Sequence, residues 1–173
     1  LLFLLFTPAP RALEPGSAPP AGPGLRFVDV GQGAALLVVG GEGHAVVIDA
    51  GPPGASEALL HALAQHEIAA IDLWIFTHFD NDHVGGFAIA GLDNLAGTAD
   101  DLELGARWDR GLEGAPDTPA VAAYRDAAAP RRTAVAGDRW QAPDLEVRVV
   151  PAGAAPERAA ENARGIALCV EVA

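Results

Sequence analysis

The feature that most constrains this chain is a cluster of four side chains, His78, Asp80, Asp82 and His83, in the run FTHFDNDHVGG. It follows Asp72 to Thr77 (DLWIFT), an apolar stretch that reads as a strand buried on both faces. A strand end is a rigid launch point, and the turn after it lets alternate side chains converge on one side. Imidazole nitrogen and carboxylate oxygen are good ligands for zinc and other divalent ions. Two carboxylates beside two imidazoles are costly to bury without a cation and balanced with one. An ion held there lowers the pKa of bound water and supplies a hydroxide nucleophile near neutral pH. An ordinary polar turn accounts for the same residues less well, given their density and their place behind a strand.

The 173 residues fit one domain, and half of them are apolar. Charge bounds the partners. Eleven basic residues, all Arg, stand against 23 acidic ones, for a net −12. Such a surface repels nucleic acid unless metal ions or a local basic patch intervene. One cysteine, Cys169, excludes an internal disulfide framework and a multi-Cys metal site. It reads as a packed small hydrophobe. No Gly-x-Ser-x-Gly elbow occurs, so a serine hydrolase is unsupported.

Residues 1 to 24 read as separate from the domain. LLFLLF passes into Thr7 to Gly24, which holds six of the 14 prolines. This is a signal-peptide remnant, the end of a membrane helix whose upstream part precedes Leu1, or a frayed apolar terminus. The first two readings place the domain outside the cytoplasm: secreted, periplasmic or membrane-attached. No apolar run reaches the roughly 18 to 20 residues of a complete span.

From residue 25 to 173 the chain reads as mixed α/β. Leu25 to Val30, Ala34 to Val39 and Ala45 to Ile48 predict three strands joined by Gly-rich turns, an antiparallel meander. Ser56 is the expected N-cap of a helix to about His66, with Leu59, Leu60 and Leu63 on one face. Residues 91 to 117, dense in acids and Gly, read as a long irregular connection. Thr118 to Ala129 predicts a helix with Val121 and Tyr124 inward, ended by Pro130. Leu145, Val147 and Val149, and then Ile166, Leu168, Val170 and Val172, alternate as strands. The second stops at the last residue, as if interrupted. Gly31-Gln32-Gly33 reads as a tight turn. His44, His61 and His66 have no partners at metal spacing and read as surface or helix residues. Asp49, at the end of VVIDAG, is either an ordinary turn residue or a carboxylate that orients a ligand histidine.

Taken in order, FVDVGQGAALLV, VVIDAG, FTHFDNDHVGG and ENARGIALCVEV resemble the metallo-β-lactamase-fold hydrolases. The branch they most resemble holds the C-terminal domain of ComEC-type DNA-uptake proteins and related secreted hydrolases. The resemblance implies an αββα sandwich, of which this chain holds the N-terminal portion. It implies one or two divalent ions, zinc first and manganese second. His78 and Asp80 match first-metal ligand positions; Asp82 and His83 match second-metal positions. Asp82 also orients the attacking water and is the expected catalytic residue. Asn162, in the Asn-rich turn before the last strand, is expected near the site. The implied activity is a metallo-hydrolase cleaving a phosphodiester or another ester-like bond in a small molecule. The alternatives are the DNA-uptake domain, the one reading with nucleic acid as partner, and a non-catalytic truncated remnant. Three departures stand out. Asp80 replaces a His of the wider superfamily, Ala34 replaces an Asp after Val-Gly-Gln-Gly, and Gly165 replaces a Ser. The family's later Thr-Gly-Asp and His-His-Gly-Ser segments do not occur.

Overall fold

The computed structural model describes residues 3–4, 22–87, 103–151 and 165–172. Its larger sheet has six strands in the order β2-β3-β4-β5-β6-β7. These are β2 (Gly24–Phe27), β3 (Leu36–Val39), β4 (Ala45–Ile48), β5 (Ala70–Phe76), β6 (Glu103–Asp109) and β7 (Arg131–Thr133). The first three form the antiparallel meander, and β4 to β7 run parallel. The smaller sheet has the order β1-β10-β9-β8, with β1 (Phe3–Leu4), β8 (Arg139–Ala142), β9 (Leu145–Val150) and β10 (Ala167–Val172). Phe3 and Leu4 thus pair parallel with Cys169 and Val170, and Gly24 opens β2, although sequence sets residues 1 to 24 apart.

Side-chain period two divides the core into layers. Leu36, Val38, Val46, Ile48, Leu73 and Ile75 face the smaller sheet and meet Leu145, Val147, Val149, Leu168 and Val170. Leu37, Val47, Trp74 and Phe76 face the other way. They are covered by α1 (Ser56–Gln65) through Leu59 and Leu63, and by α3 (Pro119–Asp126) through Val121 and Tyr124. A sheet covered on both faces explains why its strands read as continuous apolar runs. No helix among the described residues is long and apolar enough to cross a membrane.

Several expectations are corrected. Ser56 is the first helical residue rather than the cap; Ala55 takes the cap position with no side-chain bond. The expected irregular connection contains β6, and residues 91–102 of it lie outside the described residues. Two of its charges, Arg107 and Asp109, mislead because they are paired inside the fold. Asp109 is fully buried and accepts from Tyr124 Oη at 2.6 Å, from Arg131 Nε at 2.6 Å and Nη2 at 2.7 Å, and from the Gly111 amide at 2.6 Å. Burial and the adjacent Asp109 push the Tyr124 phenol well above its usual range. Arg107 donates to the carbonyls of Tyr124, Ala127 and Ala129 at the end of α3. His44, partly exposed in the β3–β4 turn as a surface residue, also has its Nδ1 2.7 Å from Asp144 Oδ1.

Asp144 clasps the two sheets. It lies in the β8–β9 turn and accepts from the Glu42 amide of the β3–β4 turn at 2.5 Å. Gly40 permits the approach, since a Cβ there would sit 2.2 Å from Asp144 Oδ2. Burial works to raise the Asp144 pKa, but the amides of Glu42 and Asp144 and the His44 ring outweigh it, and the net shift is downward from 3.8. A depressed folded pKa contributes stability that is whole above the unfolded value and lost as pH falls through the folded one. Asp144→Ala should therefore lower stability by about 1–3 kcal/mol near neutral pH. The gap to the parent should close as denaturant melts are repeated below pH 3.8. A gap that persists to the acid limit would show that the ionised carboxylate is not what holds the clasp.

Candidate metal centre

The site forms where adjacent parallel strands end, the usual place for ligands in such sheets. Ile48 of β4 lies beside Ile75 of β5, so the residues after each strand are neighbours. Asp49 follows β4 with φ 58°, the left-handed region that Asp tolerates better than most residues. Its Oδ1 accepts the Thr77 amide at 2.8 Å and its Oδ2 accepts Thr77 Oγ1 at 2.7 Å. Oδ2 also lies 2.8 Å from His83 Nδ1. Beyond Thr77, Phe79 buries itself in the helix-side core, which sends His78 and Asp80 to the other side. Asp80 is the extended N-cap of α2 (Asn81–Val84), a single turn that carries His83 back toward Asp49. The His78 and His83 ring centroids are 3.9 Å apart. Asp49, His78 and His83 each offer a ligand atom, all within 4.8 Å of one another.

Glycines let the ligand loop approach this closely. The Ala34 amide donates to Asp82 O at 3.2 Å, Ala50 to His83 O at 2.6 Å, and Gly86 to Gly51 O at 2.9 Å. A Cβ on Gly33, whose φ is +113°, would lie 1.9 Å from Asp82 O; one on Gly86 would lie 2.1 Å from Ala50 O. The GQG, DAG and VGG runs are thus mutual backbone contacts around one loop.

The chemistry of the donors fits a divalent ion. Thr77 has one hydroxyl proton, and an ionised carboxylate can only accept, so that proton goes to Asp49. His78 Nδ1, 2.9 Å from Thr77 Oγ1, must then be the donor of its pair. His83 Nδ1 donates to Asp49 in the same way. The network therefore places a proton on Nδ1 of each ring and leaves the Nε2 lone pair as the one that could bind an ion, the tautomer a carboxylate–histidine–metal arrangement requires. His78 Nε2 also lies 3.6 Å from Asp80 Oδ2. Burial disfavours charge on His83, but the bond to Asp49 and the charges of Asp49, Asp82 and Asp80 prevail and raise its pKa above 6.5. Three carboxylates draw positive charge to this point.

Of the sequence candidates, His78, His83 and Asp49 are brought together. Asp80 stands beside His78 but outside the grouped atoms, and Asp82 acts on His83 through its charge while its carbonyl anchors Ala34. Asn162 lies outside the described residues. Sequence reading misses Thr77. Its only signal is a hydroxyl residue between strand and histidine, which is common at strand ends.

A family model described as the metallo-β-lactamase superfamily matches residues 28–89, the segment that builds this site. The chain is also similar to three solved metallo-β-lactamases. A subclass B3 enzyme from a soil metagenome library shares 18% identity at TM-score 0.52, over 76% of this chain and 50% of that one. A subclass B3 enzyme of Bradyrhizobium japonicum shares 18% at 0.51, over 82% and 53%. One from Elizabethkingia meningoseptica shares 13% at 0.51, over 83% and 57%. The chain therefore has the metallo-β-lactamase fold, and it spans about half the length of these structures. None of the curated proteins compared with it matches.

Thr77→Val keeps the shape of the side chain and removes the donor. It should weaken zinc binding by about 10–100-fold, whereas Thr77→Ser should bind like the parent. Calorimetric titration of the three chains with zinc reads this directly; equal affinities for Val and Ser would exclude the relay.

Proposed function

We propose that this protein is a metal-dependent hydrolase acting on an ester-like bond. The observation that carries the reading is the Asp49–Thr77–His78 and Asp49–His83 network, set at parallel strand ends of a metallo-β-lactamase fold. His78 and His83 would hold the ion, with Asp80 beside His78. A bound divalent ion supplies Lewis-acid polarisation and a water acidified toward neutral pH. Nitrogen-rich coordination favours zinc, with manganese the second candidate. Asp49 and Thr77 orient the rings and are not themselves reacting groups. Asp82, next to His83 on the same turn, is the candidate to hold the attacking water and take its proton. The apolar LLFLLF followed by a Pro-rich stretch is the sequence pattern behind our proposal of a location outside the cytoplasm, although Phe3 and Leu4 pair with β10.

Metal content by mass spectrometry tests this on the purified chain beside a His78→Ala/His83→Ala double variant. About one or more equivalents of zinc or manganese should co-purify with the parent and be absent from the variant. Equal, background metal in both would overturn the reading. Asp82→Asn should keep its metal and lose about 10²-fold or more in turnover of an activated ester.

A further inference from the structure

Beside the metal centre is a cavity of about 290 Å³. It lies between the two sheets and is closed on one side where the Ile166 amide donates to Thr77 O at 3.1 Å. Its polar lining is confined to one end: Asp49, Thr77, His78 and His83. The rest is apolar or glycine, with Leu36, Ile48, Ile166 and Leu168 as walls and Phe27 at the lip. Phe27 is 70% exposed, one of two large hydrophobics left in solvent among the described residues. The cavity is partly open to solvent, and its volume is roughly twice the ~150 Å³ of an apolar cavity that takes up benzene.

Charge separates the candidate occupants. A nucleic acid or other phosphodiester chain brings anions on both sides of the scissile bond and needs cations along its path. Among the described residues no Arg lines the cavity, and the net charge is −12. We propose that the substrate is an ester carrying a compact, uncharged apolar group beside the scissile bond, and that this group occupies the cavity. The proposal rests on the hydrolase reading for its polar end and on the cavity alone for its apolar end.

Two probe series separate those parts. On the zinc-loaded chain, acetate, butanoate and hexanoate present the same head group with a growing tail. Affinity by calorimetry should rise about threefold to fourfold per methylene until the cavity is full. On the metal-free chain, ethanol, 1-butanol and 1-hexanol should rise with the same slope, with amide shifts at Ile166 and Leu168. Phe27→Ala, at an exposed position, and Ile166→Asn should flatten both slopes without changing zinc content. Flat slopes in the parent, or a dinucleotide that outcompetes hexanoate, would overturn the proposal even where zinc binds. A zinc-free chain that keeps the alcohol slope would sink the hydrolase reading and leave the apolar pocket standing.

Discussion

The carboxylate of Asp49 is the constraint on which the rest of this site depends. It is 3% exposed, and a lone buried carboxylate is costly. Here the cost is offset by three donors, the Thr77 amide, the Thr77 hydroxyl and His83 Nδ1. Its own backbone is held as tightly: the amide donates to Ile75 O at 2.8 Å, and the carbonyl accepts Trp74 Nε1 at 3.2 Å. Together these bonds over-determine a residue at positive φ, the condition under which such a conformation persists. They also tie β4, β5 and α2 to one point. The two histidines of one short loop thus answer to a single carboxylate, one directly and one through a hydroxyl.

That arrangement needs a rigid frame, and the outer layer supplies it. Phe76, Phe79, Phe87 and Tyr124 form a chain of edge-on and tilted ring contacts, centroids 4.8 to 5.5 Å apart. Arg107 lies 4.8 Å above the Tyr124 ring while it satisfies the last carbonyls of α3. Asp109 then fixes the Tyr124 hydroxyl. The side chain following His78 is therefore locked into a packed aromatic cluster, and His78 inherits its position from Phe79. A ligand held by its neighbour's packing loses little entropy when an ion binds, which favours a preformed site over one assembled by the metal.

How much of this is legible in the sequence depends on how local each interaction is. The meander, β5 and the two alternating strands announce themselves through apolar runs and period two. The ligand run is visible because its residues are close in sequence. β6 is not, because Arg107 and Asp109 look like loop charges until their partners at Tyr124 and Arg131 are brought near. Gly105 adds to the error: it reads as a loop breaker, yet it is there because a Cβ would lie 2.6 Å from Asp72 O of the neighbouring strand. The Asp144 partner of His44 is hidden for the same reason, being remote in sequence. Thr77 escapes because its role lies in the direction of one hydroxyl proton, which no spacing encodes. The glycines of GQG and VGG are legible as turns; their contact with the ligand loop is not.

The charge and the cavity act together on what can reach this site. Asp49, Asp80 and Asp82 surround two imidazoles, so without a cation the cluster carries excess negative charge, on a protein whose net charge is −12. Such a field concentrates divalent cations and turns away polyanions. Once a cation is held, the local excess is largely cancelled, while the surface around it stays acidic. An uncharged substrate then meets no repulsion on approach, and its apolar portion gains burial against Leu36, Ile48, Ile166 and Leu168. On the proposed reading a phosphodiester meets the opposite balance: an attractive ion at the centre but an acidic surface and no arginine among the described residues of the cavity. On that proposal, selection between these classes arises from where the fold puts its carboxylates and from the apolar walls between its two sheets.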